Sequence, residues 1–166
     1  MPSTIACGYG FPSIIGAKIG NPHTPCVGFA GDGAFGISMS EMSSIGRKGW
    51  PGMTMVIFRN YQWGAEKRNS ILWFNNNFVG TELNPHLSYA KVADACGLKG
   101  VTVKTPAELT EALRQSCEAQ KQGMTTFIEV ILNQELGEPF RRDAMKTPTV
   151  VAGIRREDMR AQQSAA

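Results

Sequence analysis

The 166-residue sequence lacks the features that mark membrane, secreted and nucleic-acid-binding proteins. No stretch approaches the roughly 20 uninterrupted apolar residues of a membrane-spanning helix, and the first residues lack the basic-then-apolar pattern of a secretory signal. The 17 basic and 14 acidic residues leave a net charge of +3 without a basic run, so neither nucleic acid nor an anionic membrane is expected as the main partner. We therefore expect a cytoplasmic protein whose partners are small molecules or proteins.

The four cysteines are too scattered to suggest a metal or disulfide framework. Cys7, Cys26, Cys96 and Cys117 form no C-x-x-C pair, and the chain has only two histidines. Such spacing is not typical of zinc sites or of small disulfide-stabilised domains. What the sequence does have is 42% hydrophobic residues, which is enough for one sizeable core in a single domain.

Short apolar runs alternate with helix-like segments, as they do in βαβ proteins. Four runs are short, rich in β-branched or aromatic residues and bounded by Gly, Pro or Asn, as buried parallel strands are. The clearest helix begins at Pro106, where Thr105 and Glu108 complete a capping box. The sequence therefore predicts an α/β fold, a doubly wound and mostly parallel sheet with helices on both faces. The predicted strands are 26–30, 53–58, 100–103 and 126–132, and the predicted helices are 12–19, 35–48, 89–96 and 106–121.

Two segments fall outside this alternation. Residues 61–84 contain Trp63, Trp73, Phe74 and Phe78 without clean periodicity. We predict a long ordered loop there, because loops of this length are usually functional or disordered and the aromatic content argues against disorder. From residue 139 the chain turns basic and then polar, so we predict a domain over 1–138 followed by a C-terminal tail over 139–166.

A Gly-Asp-Gly sequence follows the first predicted strand. Gly31, Asp32 and Gly33 lie at the carboxyl edge of the predicted sheet, where ligands of open α/β sheets bind. The following helix N-terminus favours an anion, and a carboxylate there would repel that anion unless a cation intervened. Mg²⁺ binds one or two carboxylates together with phosphate and other oxygens. Asn60, at the end of the next strand, offers a second oxygen ligand at the same edge.

Gly-Asp-Gly followed at this distance by Asn resembles the thiamine-diphosphate-binding motif. Either element alone is an ordinary turn sequence, but both together, each at the carboxyl end of a strand, favour the cofactor site. The resemblance implies that Asp32 and Asn60 bind Mg²⁺ and that the backbone carbonyl of Gln62 completes the protein ligands. It also implies that Gly33 and Ala34 present backbone N–H groups to the diphosphate.

A second resemblance lies upstream, in Cys7-Gly8-Tyr9-Gly10-Phe11-Pro12 with Ile15-Gly16-Ala17. It is similar to the segment that supports the aminopyrimidine ring in acetolactate-synthase-like enzymes, and it puts Cys7 at the position of an apolar wedge under the cofactor. The alternative is that the two glycines simply open a helix. The residues predicted to contact the cofactor are Cys7, Gly8, Gly31, Asp32, Gly33, Ala34, Asn60, Gln62, Gly64 and Ala65.

Three longer strings resemble the sulfoacetaldehyde acetyltransferases. They are RNYQWGAEK from Arg59, FVGTEL from Phe78 and ELGEPFRRDA from Glu135, and the likeness runs from about Cys7 to Lys146. The resemblance implies a thiamine-diphosphate enzyme that converts sulfoacetaldehyde and phosphate to acetyl phosphate and sulfite. Both substrates are anions, which basic side chains recognise, although an ordinary solvated or ion-paired role is preferred for any single one. The candidate anion contacts are Arg59, Lys67, Arg68, Arg141 and Arg142.

The same likeness implies parts that lie outside these 166 residues. In such enzymes a pyrimidine-binding domain supplies, across a dimer interface, the Glu that activates the cofactor, and an earlier strand and helix touch the diphosphate. We therefore expect a chain that lacks its first βα unit, needs a homo-oligomer or a pyrimidine-domain partner, and does not turn over substrate alone. Its catalytic residues stay unassigned.

Three other functions stay open at this point. One is the cofactor-binding subunit of a two-chain decarboxylase acting on sulfopyruvate or phosphonopyruvate, and another is an acetolactate-synthase-like carboligase. The third belongs to a different class, a non-catalytic binding module that retains the fold. The intact Asp32 and Asn60 argue against this last alternative.

Overall fold

The computed structural model describes residues 7–47 and 49–136, together with the backbone of 150–151 and 154–155. Four parallel strands form the main sheet, in the order β1-β2-β4-β3. All four predicted strands are confirmed, each to within a residue at either end. The strands are β1 (Val27–Gly31), β2 (Thr54–Arg59), β3 (Lys99–Val103) and β4 (Thr126–Ile131).

Helices connect the strands. The capping box that the sequence predicts for the last of them is present, because the Thr105 hydroxyl accepts a 3.2 Å bond from the Glu108 N–H and the Glu108 carboxylate accepts a 3.1 Å bond from the Thr105 N–H. The helices are α1 (Gly10–Gly20), α2 (Asp32–Ile37), α3 (Met42–Ile45), α4 (Gly64–Trp73), α5 (Tyr89–Ala95) and α6 (Pro106–Lys121).

The prediction of one continuous helix over 35–48 is wrong. The helix that follows β1 begins at Asp32, ends at Ile37 and is followed by a 3₁₀ turn over Met39–Glu41 and then by α3. Ser38 leaves the helical region at φ −112° and ψ 16°, and serine is a weak helix former. Gly46, which follows α3, packs closely against a distant segment, since a Cβ there would lie 2.0 Å from the backbone oxygen of Cys96.

The prediction that residues 61–84 form only a loop is also wrong, because α4 occupies Gly64–Trp73. Ala65, Glu66, Lys67 and Arg68 are all strong helix formers. The apolar residues of this helix do not recur at a helical period, so the pattern does not show a helix there.

The strand register places two hydrophobic clusters on opposite faces of the sheet. Met55, Ile57 and Phe127 point to one face, where they pack with residues of α1, α2, α3 and α5. Val56 and Ile128 point to the other face, where α6 covers them. Because helices cover both faces, the sheet is doubly wound, as the sequence predicts.

The chain divides into two compact units, Met1–Gly64 with Val79–Gln134 and Ala65–Phe78 with Glu135–Ala166. The first unit contains the four-stranded sheet. In the second, residues 150–151 and 154–155 form a two-stranded antiparallel pair. The boundary predicted at residue 138 stays a prediction. Across the described residues, no helix has both the length and the apolar character needed to cross a membrane.

The contact between α5 and β3 depends on Gly100, because a Cβ placed there would lie 2.0 Å from the backbone oxygen of Ala90. We expect Gly100→Ala to lower the free energy of unfolding by about 1–3 kcal/mol, since backbone atoms must separate to admit the methyl group. A Cβ at Gly16, in α1, would meet open space within 4 Å. Gly16→Ala is the matched control and should raise stability by about 0.5–1 kcal/mol through helix propensity. Urea denaturation of both variants measures the difference, and equal stabilities would contradict the packing argument.

Candidate functional site

The candidate site lies where β1 and β2 end side by side. Gly31 pairs with Phe58 in the parallel register, so Asp32 and Asn60 both emerge at the carboxyl edge of the sheet. Asp32 is only 3% exposed. The structure therefore brings together the two side chains that the sequence predicts as metal ligands.

The Asn60 amide lies between Asp32 and the backbone of Gln62. Exchanging its nitrogen and oxygen changes which hydrogen bonds it makes with these two neighbours. With its nitrogen turned inward, Asn60 donates to Asp32 Oδ1 at 3.2 Å and to the Gln62 oxygen at 2.9 Å. With its oxygen turned inward, it accepts a 3.3 Å bond from the Gln62 N–H, and three oxygens then converge without a proton between them. A cation is what three converging oxygens need, so the second orientation is the one in which these groups would bind a metal.

A left-handed residue shapes this turn. Tyr61, between Asn60 and Gln62, has φ +62°. Residues other than Gly, Asn and Asp rarely adopt this left-handed backbone conformation. Its N–H donates to Asp32 Oδ2 at 2.7 Å, and its carbonyl accepts a 2.9 Å bond from the Leu83 N–H. The chain then runs antiparallel to residues 81–83, with Trp63 N–H bonded to the Thr81 carbonyl at 2.8 Å.

Burial dominates the electrostatics of Asp32. Loss of solvent raises the pKa of its carboxyl, and the N–H groups of Tyr61 and Gly33 and the charge of Arg59 oppose that rise. A buried carboxylate with a raised pKa is costly to keep charged. A bound divalent cation would offset this cost directly, which is the arrangement expected of a metal ligand.

The site opens into a cleft of about 310 Å³. Its walls are mostly apolar and aromatic, with the Asp32 carboxylate at one end, which is typical of a cofactor or small-molecule site. Tyr89 lies in the wall and its hydroxyl donates to the backbone oxygen of Asp32 at 2.9 Å. Residues that line the cleft include Asp32, Gly33, Ile37, Arg59, Trp63 and Tyr89.

Arg59 is held inside the protein by an ion pair. Its guanidinium lies 2.5 Å from Glu129 Oε1, and the two side chains are 4% and 2% exposed. Glu129 also accepts bonds from the Ser88 hydroxyl at 2.8 Å and from the Tyr89 N–H at 3.1 Å. Of the predicted anion contacts, Arg59 therefore follows the ion-paired alternative.

Lys67 and Arg68, two further predicted anion contacts, lie in the second unit. Lys67 lies 5.4 Å from the centre of the Phe78 ring, and the Arg68 guanidinium donates to the Leu136 carbonyl. Arg141 and Arg142 lie outside the described residues. Their role in binding sulfonate or phosphate stays a prediction.

Sequence reasoning missed three residues of this site, Glu129, Tyr89 and Trp63. Glu129 had a usable signal, because a lone carboxylate inside the apolar strand TFIEVIL must be paired if it is buried. Tyr89 and Trp63 had none, since nothing local distinguishes them from other aromatic residues. Their places follow from the packing of α5 and of residues 61–63 at the edge of the sheet.

The upstream glycine predicted to contact the cofactor lies beside the cleft. Gly8 has φ +84°, and a Cβ there would be 2.7 Å from Cγ2 of Ile37, a residue of the cleft wall. Cys7 is exposed and carries a free thiol. The predicted contacts of Cys7, Gly8, Gly64 and Ala65 with the cofactor stay predictions.

The predicted contacts around Asp32 differ in what they do in this structure. The Gly33 N–H donates to Asp32 Oδ1 at 3.0 Å, so it orients the carboxylate. A Cβ at Gly31 would have open space within 4 Å, so a side chain at this position would not meet other parts of the protein. Ala34 follows in α2. Contacts of these three residues with a diphosphate stay predictions.

Gly33 allows Trp63 to pack against α2, because a Cβ at Gly33 would lie 2.8 Å from the Trp63 ring. We expect Gly33→Ala to displace the indole and so to shift and weaken its contribution to tryptophan fluorescence, read as the difference from a Trp63→Phe background. Gly31→Ala is the control, since its Cβ meets open space. A Gly33→Ala spectrum identical to that of the parent would mean that the ring does not rest on this glycine.

Comparisons with known proteins identify the family of this domain. Residues 2–130 match the family model described as "Thiamine pyrophosphate enzyme, C-terminal TPP binding domain". The chain belongs to this family. Its edge-of-sheet Asp32 and Asn60 are thus found in a thiamine pyrophosphate enzyme domain, as the resemblance of the sequence motif implies.

Several curated relatives share much more sequence. The chain is 78% identical over 157 residues to a "Probable sulfoacetaldehyde acetyltransferase" of Rhizobium meliloti (strain 1021), covering 95% of this chain and 27% of the relative. It is 67% identical over 156 residues to the sulfoacetaldehyde acetyltransferase of Rhodobacter capsulatus, covering 94% and 26%. An acetolactate synthase catalytic subunit of Saccharomyces cerevisiae is 33% identical over 65% of this chain. The chain thus spans about a quarter of the length of these acetyltransferases.

Solved structures support the fold of this thiamine pyrophosphate domain. The 4-hydroxybenzoylformate decarboxylase of Rhodococcus jostii RHA1 superposes with a TM-score of 0.70 at 25% identity, over 78% of this chain and 24% of that chain. A benzoylformate decarboxylase of Polynucleobacter necessarius gives a TM-score of 0.68 at 26% identity, over 79% and 24%. The α/β fold predicted from the sequence is therefore confirmed by the structure and by its neighbours.

Proposed function

We propose that this chain holds the diphosphate end of thiamine diphosphate through a Mg²⁺ ion bound by Asp32, Asn60 and the backbone oxygen of Gln62. The observation that carries the proposal is the convergence of these groups, with the Asn60 amide 3.2 Å from Asp32 and 2.9 Å from the Gln62 oxygen. When bound, the cofactor supplies an electron sink for breaking a bond next to a carbonyl carbon. The residues of this chain bind, orient and shield it.

The donor set favours Mg²⁺ over softer metals. One carboxylate, one amide and one backbone carbonyl are hard oxygen ligands, which Mg²⁺ prefers and would share with phosphate oxygens. Within residues 7–47 and 49–136, no three His, Cys, Asp or Glu side chains cluster as metal ligands. The site therefore depends on oxygens supplied by a ligand, which a diphosphate provides.

The cleft beside the proposed metal ligands has aromatic walls that would pack against a bound cofactor. Trp63 and Tyr89 line it, and Tyr89 keeps its proton because burial, reinforced by the negative charges of Asp32 and Glu129, raises the pKa of its hydroxyl. The hydroxyl can therefore act as a donor to the Asp32 carbonyl over the physiological pH range. In this way α5 is tied to the start of α2, which carries the first metal ligand.

For the whole enzyme, we propose the conversion of sulfoacetaldehyde and phosphate to acetyl phosphate and sulfite. The support is the name shared by relatives that are 78% and 67% identical. In this proposal the Glu that activates the cofactor belongs to a pyrimidine-binding domain outside these residues. An oligomer or a partner chain is therefore required, and we expect the isolated chain to be inactive. A cytoplasmic dimer is part of this proposal and rests on the sequence alone.

Calorimetry tests the cofactor proposal. Thiamine diphosphate is titrated into the purified chain with Mg²⁺ and, separately, with EDTA. We expect saturable binding only with Mg²⁺, together with a higher melting temperature, since a ligand at a hundred times its Kd stabilises by about 2.7 kcal/mol. Equal heats in Mg²⁺ and EDTA would refute a metal-bridged diphosphate.

A carboligase is the second candidate, favoured by the 33% identity to an acetolactate synthase subunit. The two reactions are separated with the full-length enzyme, supplied either with sulfoacetaldehyde and phosphate or with pyruvate alone. Acetyl phosphate and sulfite from the first mixture support the acetyltransferase. Acetolactate from the second, with no sulfite from the first, would favour the carboligase.

A further inference from the structure

Tyr61 lies between the proposed metal ligands Asn60 and Gln62, and its ring packs against Arg59, a residue that the proposed function does not use. Tyr61 has φ +62°, and its left-handed turn lets the two groups on either side of it, the Asn60 amide and the Gln62 carbonyl, lie 2.9 Å apart. A tyrosine in this conformation persists only where its surroundings hold it there.

Two of the contacts that hold Tyr61 are made by its backbone. Its N–H donates to Asp32 Oδ2 at 2.7 Å, and its carbonyl accepts from the Leu83 N–H at 2.9 Å. The third is made by its ring, which lies 4.6 Å from the guanidinium carbon of Arg59. Stacking of a guanidinium on an aromatic face is favourable, and more so where water is excluded.

Arg59 cannot move freely under this ring. Its guanidinium is bonded to Glu129 at 2.5 Å, and it donates more weakly to the carbonyls of Asn84 and Pro85, each at 3.4 Å. Tyr89 lies on it as well, with its ring centre 5.3 Å away. The guanidinium is therefore fixed by a carboxylate on the central strand β4 and packs against two tyrosine rings.

We propose that Arg59 and Glu129 are positioning residues that hold Tyr61 in its left-handed conformation and thereby set the geometry of the metal ligands. The role in metal binding rests on the proposed function, whereas the role in holding Tyr61 does not. The ion pair fixes Arg59 relative to strand β4. Because Arg59 immediately precedes Asn60 in the chain, fixing Arg59 also restricts the position of the loop. In this proposal both residues act through Tyr61, and Arg59 also lines the cleft.

The test uses the double variant Arg59→Met with Glu129→Gln, because removing either charge alone would leave the other buried and unpaired. Glutamine keeps an oxygen that can accept the Tyr89 N–H. The matched control is Arg114→Met with Glu111→Gln, which neutralises an ion pair on the exposed face of α6. Both variants have the same net charge as the parent chain, so a general charge effect is controlled.

The first readout needs no cofactor. Amide hydrogen exchange followed by NMR reports the Tyr61 N–H, and Ile57 in the middle of β2 reports the sheet. In the Arg59–Glu129 variant we expect the Tyr61 amide hydrogen to exchange about tenfold faster or more, because loss of the contact should shift the opening equilibrium of the loop about tenfold. The exchange rate of the Ile57 amide should not change. Unchanged exchange at Tyr61, or equal acceleration at Ile57, would overturn the proposal.

The second readout is the Kd of Mg²⁺ at a fixed concentration of thiamine diphosphate. We expect the Arg59–Glu129 variant to bind Mg²⁺ about tenfold more weakly, and the control variant to match the parent. In a Tyr61→Gly background, where φ +62° carries no strain, the same double substitution should change the Kd less than about twofold. An equal loss in both backgrounds would mean that the pair does not act through Tyr61.

The two proposals fail in different ways. If the parent chain binds no thiamine diphosphate in the presence of Mg²⁺, the proposed function fails, and the exchange of the Tyr61 amide still decides whether Arg59 and Glu129 hold the loop. If the parent binds normally and the exchange of Tyr61 does not respond, the cofactor proposal stands and the positioning role is refuted.

Discussion

Asp32→Asn should weaken Mg²⁺-dependent binding of thiamine diphosphate by roughly 100-fold or more, a change equivalent to about 2.7 kcal/mol. The substitution keeps the size of the side chain and one acceptor oxygen but removes the only carboxylate among the proposed metal ligands. Calorimetric titration of Mg²⁺ at a fixed cofactor concentration measures the effect.

The loss should not come from unfolding. Burial raises the pKa of the Asp32 carboxyl, so removing this costly charge should offset the loss of one of the two acceptors of the Tyr61 and Gly33 N–H groups and leave the urea midpoint near that of the parent. Asp94→Asn is the control, because that exposed carboxylate accepts a 2.8 Å bond from the Gly100 N–H away from the cleft. Equal Mg²⁺ affinity in the Asp32 and Asp94 variants would remove Asp32 from the metal site.

Glu129→Leu should lower the free energy of unfolding by about 3–5 kcal/mol, the usual cost of leaving a buried charge without its partner. Arg59 would keep its charge with only the two weaker carbonyl contacts, and the Tyr89 N–H would lose its acceptor. Since a domain of this kind is stable by only about 5–15 kcal/mol, the variant should unfold at a much lower urea concentration.

The control for this prediction is Glu111→Leu, which removes the exposed partner of Arg114. Exposed pairs contribute little because water and salt screen them, so its urea midpoint should match that of the parent. The Arg59→Met, Glu129→Gln variant should recover much of the lost stability, because no unpaired charge remains. A Glu129→Leu variant as stable as the parent would contradict the prediction, because it would show that Arg59 keeps its buried charge without a carboxylate partner at no cost.

Much of the fold follows from short-range patterns. The four strands are confirmed because each is a short, mostly apolar run bounded by turn residues, which is typical of strands in a parallel sheet covered by helices. Helix α6 is confirmed from Pro106 to Lys121, since its capping box and its apolar stripe lie within the helix itself. In both cases the residues that decide the structure are neighbours in sequence.

The errors arise where distant residues decide. The helix predicted over 35–48 is interrupted, and α3 ends where Gly46 meets the Cys96 carbonyl, 50 residues away in the printed sequence. Helix α4 was missed because its apolar residues do not show the helical period. The interruption of the helix after Ile37 cannot be found from propensity alone, because tertiary contacts override weak local preferences, whereas the strong helix formers from Ala65 to Arg68 do favour α4.

The candidate site divides along the same line. The sequence by itself determined that Asp32 and Asn60 end neighbouring parallel strands, because strand, helix and strand of these lengths return the chain to the same edge of a sheet. Only the tertiary structure decided that Glu129, 70 residues from Arg59, is its partner, and that Tyr61 takes a left-handed conformation. The physical reason is that a buried ion pair and a strained backbone are stable only through contacts between segments far apart in the chain, and such contacts exist only once the sheet has formed.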